Sequence, residues 1–81
     1  MIIATWNVNS IRARRERVVA WLRSQRPDVL CLQELKVTDD EFPGEPFRQI
    51  GYHAALFGQK TYNGVAILAL SEPQDVERGF N

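Results

Sequence analysis

The chain opens on an apolar, β-branched run, Ile2-Ile3-Ala4-Thr5-Trp6, which predicts a short buried strand over residues 2–6. Asn7-Val8-Asn9-Ser10 interrupts it with side chains that bond nearby backbone groups and favour turns and helix caps. Val18, Val19, Trp21 and Leu22 then recur at helical spacing, with Ile11 a turn or two earlier. They predict a helix that starts between Ser10 and Arg15 and ends near Gln25. Pro27 stops it, because the residue before a proline is pushed out of the helical region. Val29 to Gln33 reads as a second buried strand.

Residues 37–51 are polar and turn-rich, with Thr38, Asp39, Asp40 and Pro43-Gly44. A short helical segment from Pro46 to Ile50 is expected, with Pro46 in the first turn and Gly51 as its cap. Tyr52 to Phe57 and the very apolar Gly64 to Leu70 read as a third and a fourth strand, paired as a hairpin across a turn from Gly58 to Asn63. Ser71 to Asn81 has mixed charge and no clear period. The order β-α-β-(α)-β-β indicates an α/β layered architecture, with the first two strands joined by a helical crossover of the right-handed, parallel kind. No internal repeat, low-complexity tract or linker divides the chain.

Composition narrows the class. With 44% hydrophobic and 25% charged residues among 81, the chain is not of the disordered type. A chain this short is one domain or one piece of a larger domain. The single Cys31 lies in the run Val29-Leu30-Cys31-Leu32, where a small buried hydrophobe is expected. No secretory signal or membrane-length run is visible, so a soluble, cytoplasmic protein is expected. The zero net charge hides an asymmetry: residues 1–36 carry a surplus of four positive charges and residues 37–81 the same surplus of negative ones. Arg12, Arg14, Arg15, Arg17, Arg23 and Arg26 make up most of the positive part. Such a cluster either follows a phosphate backbone or is a solvated helix face.

The candidate chemistry sits at strand ends. Glu34 and Lys36 follow the second strand, and Asn7 follows the first; the carboxyl ends of strands are where α/β proteins hold ligands. If those strands are neighbours, Asn7 and Glu34 share one sheet edge. A carboxylate there suits a hard divalent cation, which prefers oxygen ligands. The bland alternative is an exposed carboxylate paired with Lys36. No residue of this chain is a convincing general base. His53, the lone histidine, lies within a predicted strand and reads as structural.

Three blocks carry a resemblance. Pro27-Asp28-Val29-Leu30-Cys31-Leu32-Gln33-Glu34-Leu35-Lys36 resembles the first signature of the exonuclease III and abasic-endonuclease family: a Pro-Asp opening, an apolar strand and a Gln-Glu-x-Lys ending. Thr5-Trp6-Asn7-Val8-Asn9-Ser10-Ile11-Arg12-Ala13-Arg14 resembles that family's N-terminal strand and loop, and Gly58 to Leu68 a third block, in family order and spacing. The resemblance implies that residues 1–81 are the N-terminal portion of a four-layer αββα sandwich built from two similar halves. It implies a DNA-repair phosphodiesterase that uses Mg²⁺ or Mn²⁺, cleaves beside abasic sites and trims 3′ ends of double-stranded DNA, in a bacterial-type cytoplasm on nucleoid DNA. Glu34 would be the metal-binding glutamate, and Asn7 the asparagine that helps order the metal. Lys36 would lie near the site, Arg12 would contact a DNA phosphate, and Lys60 and Tyr62 would sit in a loop that approaches the DNA. Asn9 falls where relatives are often acidic, and Gln33 would be structural. The family's acidic general acid or base, its site tyrosine and its C-terminal Asp-His pair have no counterpart here. The isolated chain is therefore expected to be inactive, and self-association over an exposed sheet face is a further expectation. The rival readings are a non-catalytic DNA-binding module or truncated fragment, and a relative acting on phospholipid head groups or inositol phosphates. The Asn-Ser-Ile-Arg-Ala-Arg and Tyr-Asn-Gly-Val segments favour DNA over the last of these.

Overall fold

The computed structural model describes residues 1–57 and 64–70. Its elements are strand β1 (Ile3–Asn7), helix α1 (Ile11–Gln25), strand β2 (Val29–Gln33), a 3₁₀ turn (Asp39–Glu41), the short helix α2 (Glu45–Gln49), and strands β3 (His53–Phe57) and β4 (Val65–Ala69). They form the α/β arrangement expected, with every predicted element present to within a residue or two. The 3₁₀ turn is additional. The expected turn from Gly58 to Asn63, with Lys60 and Tyr62 in it, and the segment Ser71 to Asn81 lie outside the described residues.

One sheet holds all four strands in the order β1-β2-β4-β3. β1 runs parallel to β2, from Ile3 beside Val29 to Asn7 beside Gln33. β4 is antiparallel to both β2 and β3, so the hairpin is present and its second strand fills the sheet's interior. Strand alternation sorts the side chains. Ala4, Leu30, Leu68 and Ala54 form one row, and Trp6, Leu32, Ala66 and Leu56 the next. These rows face α1, which contributes the fully buried Ile11, Val18 and Leu22. Val19 and Trp21, expected in the same stripe, pack at its margin half-buried. Trp21 meets Trp6 edge to face at 5.9 Å between ring centroids.

The opposite rows, among them Ile3-Val29-Ala69 and Thr5-Cys31-Ile67, find no comparable cover among the described residues. The expectation of a buried first strand is corrected here: Ile2 and Ile3 are 61% and 65% exposed, because β1 is an edge strand covered on one face. Cys31 lies on the same uncovered face and is half-buried, not enclosed. His53 opens β3 with its side chain exposed.

Arg26 is exposed, and its guanidinium ties the crossover to the rest of the fold. It caps α1 in the left-handed conformation (φ 45°), its amide donating to Leu22 O at 2.9 Å. Its guanidinium donates to Ile50 O at 2.6 Å and lies 5.1 Å from the Tyr52 ring centre. Tyr52 is 1% exposed and donates its hydroxyl to Pro27 O at 2.7 Å. Burial raises the Tyr52 pKa above 10.0, against the opposing effect of Arg26. The neutral phenol is therefore favoured in the fold, and this contribution is lost as pH rises through the alkaline range from about 10 upward.

Removing the hydroxyl orphans a buried carbonyl. Tyr52→Phe should lower unfolding stability at neutral pH by about 1–2 kcal/mol in denaturant titrations. The gap to the native chain should narrow above about pH 10, where the native phenol no longer favours the fold.

Candidate functional site

The site is assembled by the two parallel strands and by what their chain does beyond their ends. Val8 N–H donates to Gln33 O at 3.1 Å, Ser10 N–H to Glu34 O at 2.9 Å and Ile11 N–H to Leu35 O at 2.9 Å. Pairing thus continues past the sheet, so the β1–α1 loop lies against the segment after β2. Leu35 N–H donates in turn to Gly64 O at 3.2 Å, which ties that segment to the start of β4. Val8, Leu35 and Val37 are buried beneath the two loops and leave their polar neighbours at the surface.

Asn7 and Glu34 are brought together as anticipated. The Asn7 side-chain amide donates to Glu34 Oε2. The Asn7 amide oxygen accepts from Asn9 N–H at 3.2 Å, which fixes which end of the amide faces the carboxylate. Glu34 is half-buried and leaves Oε1 for another partner. Lys36 is exposed two residues on, and the ion pairs of the described residues, Arg12–Glu41 and Arg48–Glu45, do not include a Glu34–Lys36 pair.

Backbone strain concentrates here. Asn9 (φ 45°), Ser10 (φ 99°), Glu34 (φ 55°) and Lys36 (φ 61°) all lie in the positive-φ region that favours glycine. Conformations of this kind cost on the order of 1–3 kcal/mol each and persist where the surroundings over-determine them. The loop-to-loop hydrogen bonds supply that determination. With Leu35 turned into the core between them, Glu34 and Lys36 stay at the surface.

Arg12 stands on the first turn of α1, with its Nη2 3.6 Å from Glu41 Oε2. The pattern Thr38-x-x-Glu41 could have revealed how this carboxylate is anchored, though not its pairing with Arg12. Thr38 N–H donates to Glu41 Oε1 at 3.2 Å, as in a capping box, and the Thr38 hydroxyl donates to the same oxygen at 2.8 Å. These two bonds, the backbone one first, and then Arg12 hold the Glu41 carboxyl below its ordinary pKa of 4.5. A broad open groove between α2 and β3, lined by Arg15, Phe42, Pro46, Arg48, His53 and Leu56, contains none of the candidate site residues. Gln33 carries the pairing into the loop through its carbonyl, and its side-chain amide donates to Cys31 Sγ at 3.6 Å.

A cation at this site would meet one carboxylate, Glu34, with the Asn7 amide beside it. Mg²⁺ takes one or two carboxylates and leaves its remaining positions to water and phosphate, so the donor set fits. Among the described residues no three His, Cys, Asp or Glu side chains converge on one point, so this is not an all-protein metal cage. No described helix is long and apolar enough to cross a membrane.

The chain is thus an α/β layer with a hydrogen-bonded carboxylate–amide pair at the ends of two adjacent parallel strands. The model of the Endonuclease/Exonuclease/phosphatase family matches residues 4–80, and the chain belongs to that family. It is 42% identical over 80 residues to exodeoxyribonuclease III of Haemophilus influenzae, covering 99% of this chain and 30% of that protein. It superposes on an AP endonuclease from Archaeoglobus fulgidus with a TM-score of 0.88 and 52% identity, covering 95% of this chain and 30% of that one. A 3′ phosphatase from Neisseria, solved with a product DNA hairpin, gives a TM-score of 0.88 and 51% identity over the same shares of 95% and 30%. The chain thus spans about a third of the length of these relatives. The neighbours share the αββα sandwich fold, of which the described sheet with its helices is the corresponding part.

Ser10 tests the strain directly. At φ 99° a glycine is less strained than a serine, and glycine at a helix N-cap loses only a few tenths of a kcal/mol relative to serine. Ser10→Gly should therefore raise unfolding stability by about 1 kcal/mol, seen as a higher denaturant midpoint at unchanged slope.

Proposed function

We propose that this chain supplies the Asn7–Glu34 part of the active site of a magnesium-dependent DNA-repair phosphodiesterase. In a protein of its relatives' length, that enzyme incises DNA beside abasic sites and trims 3′ ends. The observation that carries the reading is the Asn7 amide locked to the Glu34 carboxylate at the ends of two parallel strands.

In this reading each residue has its own task. Glu34 would hold Mg²⁺, or Mn²⁺, through a carboxylate that accepts from the Asn7 side-chain amide. When bound, the cation neutralises developing charge on the phosphoryl oxygens and the leaving group. Lys36 offsets charge on the flanking phosphates from its exposed position. Arg12, Lys60 and Tyr62 position the DNA backbone, so recognition depends on backbone and shape more than on base identity. The relatives support this assignment: one is an AP endonuclease, and another was solved with a product DNA hairpin. A non-catalytic DNA-binding module would account for the exposed arginines of α1 but leaves the Asn7–Glu34 pair without a purpose. The cellular setting that accompanies this reading is a bacterial-type cytoplasm, where chromosomal DNA is the substrate.

The described residues present no side chain placed as a general base beside Glu34. We therefore expect the 81-residue chain alone to leave an abasic duplex uncut in Mg²⁺. Residues 1–81 grafted in place of the matching segment of the Haemophilus influenzae exodeoxyribonuclease III should restore Mg²⁺-dependent incision. In that chimera Glu34→Gln should lower kcat by about a hundredfold or more, and Asn7→Ala by about 10–100-fold. A folded, active chimera whose turnover and metal dependence are untouched by Glu34→Gln would refute the assignment of Glu34.

A further inference from the structure

We propose that Glu41 is a positioning residue that acts through Arg12: an anchored carboxylate that holds the guanidinium in place of a DNA phosphate and so restrains backbone binding. The inference rests on the DNA reading above and adds a residue to it. Its basis is the asymmetry of the Glu41 carboxylate. Oε1 is occupied by Thr38 N–H and by the Thr38 hydroxyl, at 3.2 and 2.8 Å, within the same turn. Oε2 is the oxygen that faces Arg12 Nη2, at 3.6 Å. Glu41 is therefore held by its own backbone turn and not by the arginine.

Arg12 is held differently. Its side chain is 63% exposed, and 3.6 Å is an ion-pair distance too long for a hydrogen bond. The arginine is thus the movable partner and the carboxylate the fixed one. A phosphate approaching Arg12 competes with Glu41 for the guanidinium, and it then lies near a carboxylate that its own turn keeps in place. Asp40 adds to that negative field, with Oδ1 2.7 Å from the Thr38 hydroxyl. That hydroxyl has one hydrogen, shared between Asp40 and Glu41.

The size of the effect is bounded by the pair's exposure. Ion pairs at this depth contribute little and are screened by salt. Neutralising Glu41 should therefore tighten DNA binding modestly, and the gain should fade as salt rises. A gain arising only from lower net negative charge would persist without Arg12, whereas a gain acting through Arg12 would not.

The test is equilibrium binding of the full chain to a short duplex with one abasic-site analogue, in EDTA, at low and at physiological salt. Native protein, Glu41→Gln, Arg12→Ala and the double variant are compared. Glu41→Gln should bind about two- to fivefold tighter at low salt, the range an exposed pair allows. That gain should shrink at physiological salt and largely vanish in the Arg12→Ala background. An equal gain in both backgrounds, or none in either, overturns the proposal while leaving the DNA reading intact. If no variant binds duplex, the DNA reading fails and this proposal with it. The Glu41 carboxyl titration, followed by NMR, reads the pair independently of DNA. Arg12→Ala should raise the Glu41 pKa, and an unchanged value would overturn the pairing.

Discussion

The parallel pairing of β1 with β2, carried three hydrogen bonds beyond the strands, is the constraint on which the rest depends. Val8, Ser10 and Ile11 each donate a backbone bond to the segment Gln33 to Leu35. A parallel pair requires a crossover, and α1 provides it while covering the sheet face formed by Leu30, Leu32, Ala66 and Leu68. The same register sets Asn7 beside Gln33 and so delivers the Asn7 amide to Glu34. Core formation and site assembly are thus one event: slip β1 by a residue and both the apolar row and the amide change faces.

The tight loops that result leave four non-glycine residues with positive φ, at Asn9, Ser10, Glu34 and Lys36. Strain of this kind is retained where a side chain's direction matters more than the stability of its backbone. Here Leu35 and Val37 turn inward, and the polar residues between them are held at the surface. The other sheet face, with Ile3, Cys31 and Ile67, is apolar and without comparable cover among the described residues. The chain spans about a third of its relatives' length.

Local patterns in the sequence carried most of the elements. β2 was legible to the residue, because Pro27 closes the helix before it and Gln33-Glu34 ends the apolar run. The nearness of Asn7 and Glu34 followed once β1 and β2 were taken as neighbours. What could not be read were partnerships set by long-range packing. Nothing local says that β4 enters between β2 and β3, or that Arg26 reaches the Ile50 carbonyl. The exposure of β1 escaped for the same reason, since an apolar run does not report whether one face or two are covered. Glu41 is the instructive omission. The Thr38-x-x-Glu41 spacing of a capping box was present, yet the segment read only as a polar turn, and its pairing with Arg12 needed the fold.

The central claim is that Asn7 and Glu34 together make a divalent-cation site. Its most direct test is to follow the Asn7 side-chain amide and the Glu34 carboxylate by NMR while Mg²⁺ is added to the full chain. The account predicts saturable shifts centred on Asn7, Glu34 and Lys36, abolished by Glu34→Gln in a chain that remains folded. Shifts confined to the acidic turn Asp39–Glu41, or shifts that persist unchanged in Glu34→Gln, would contradict it.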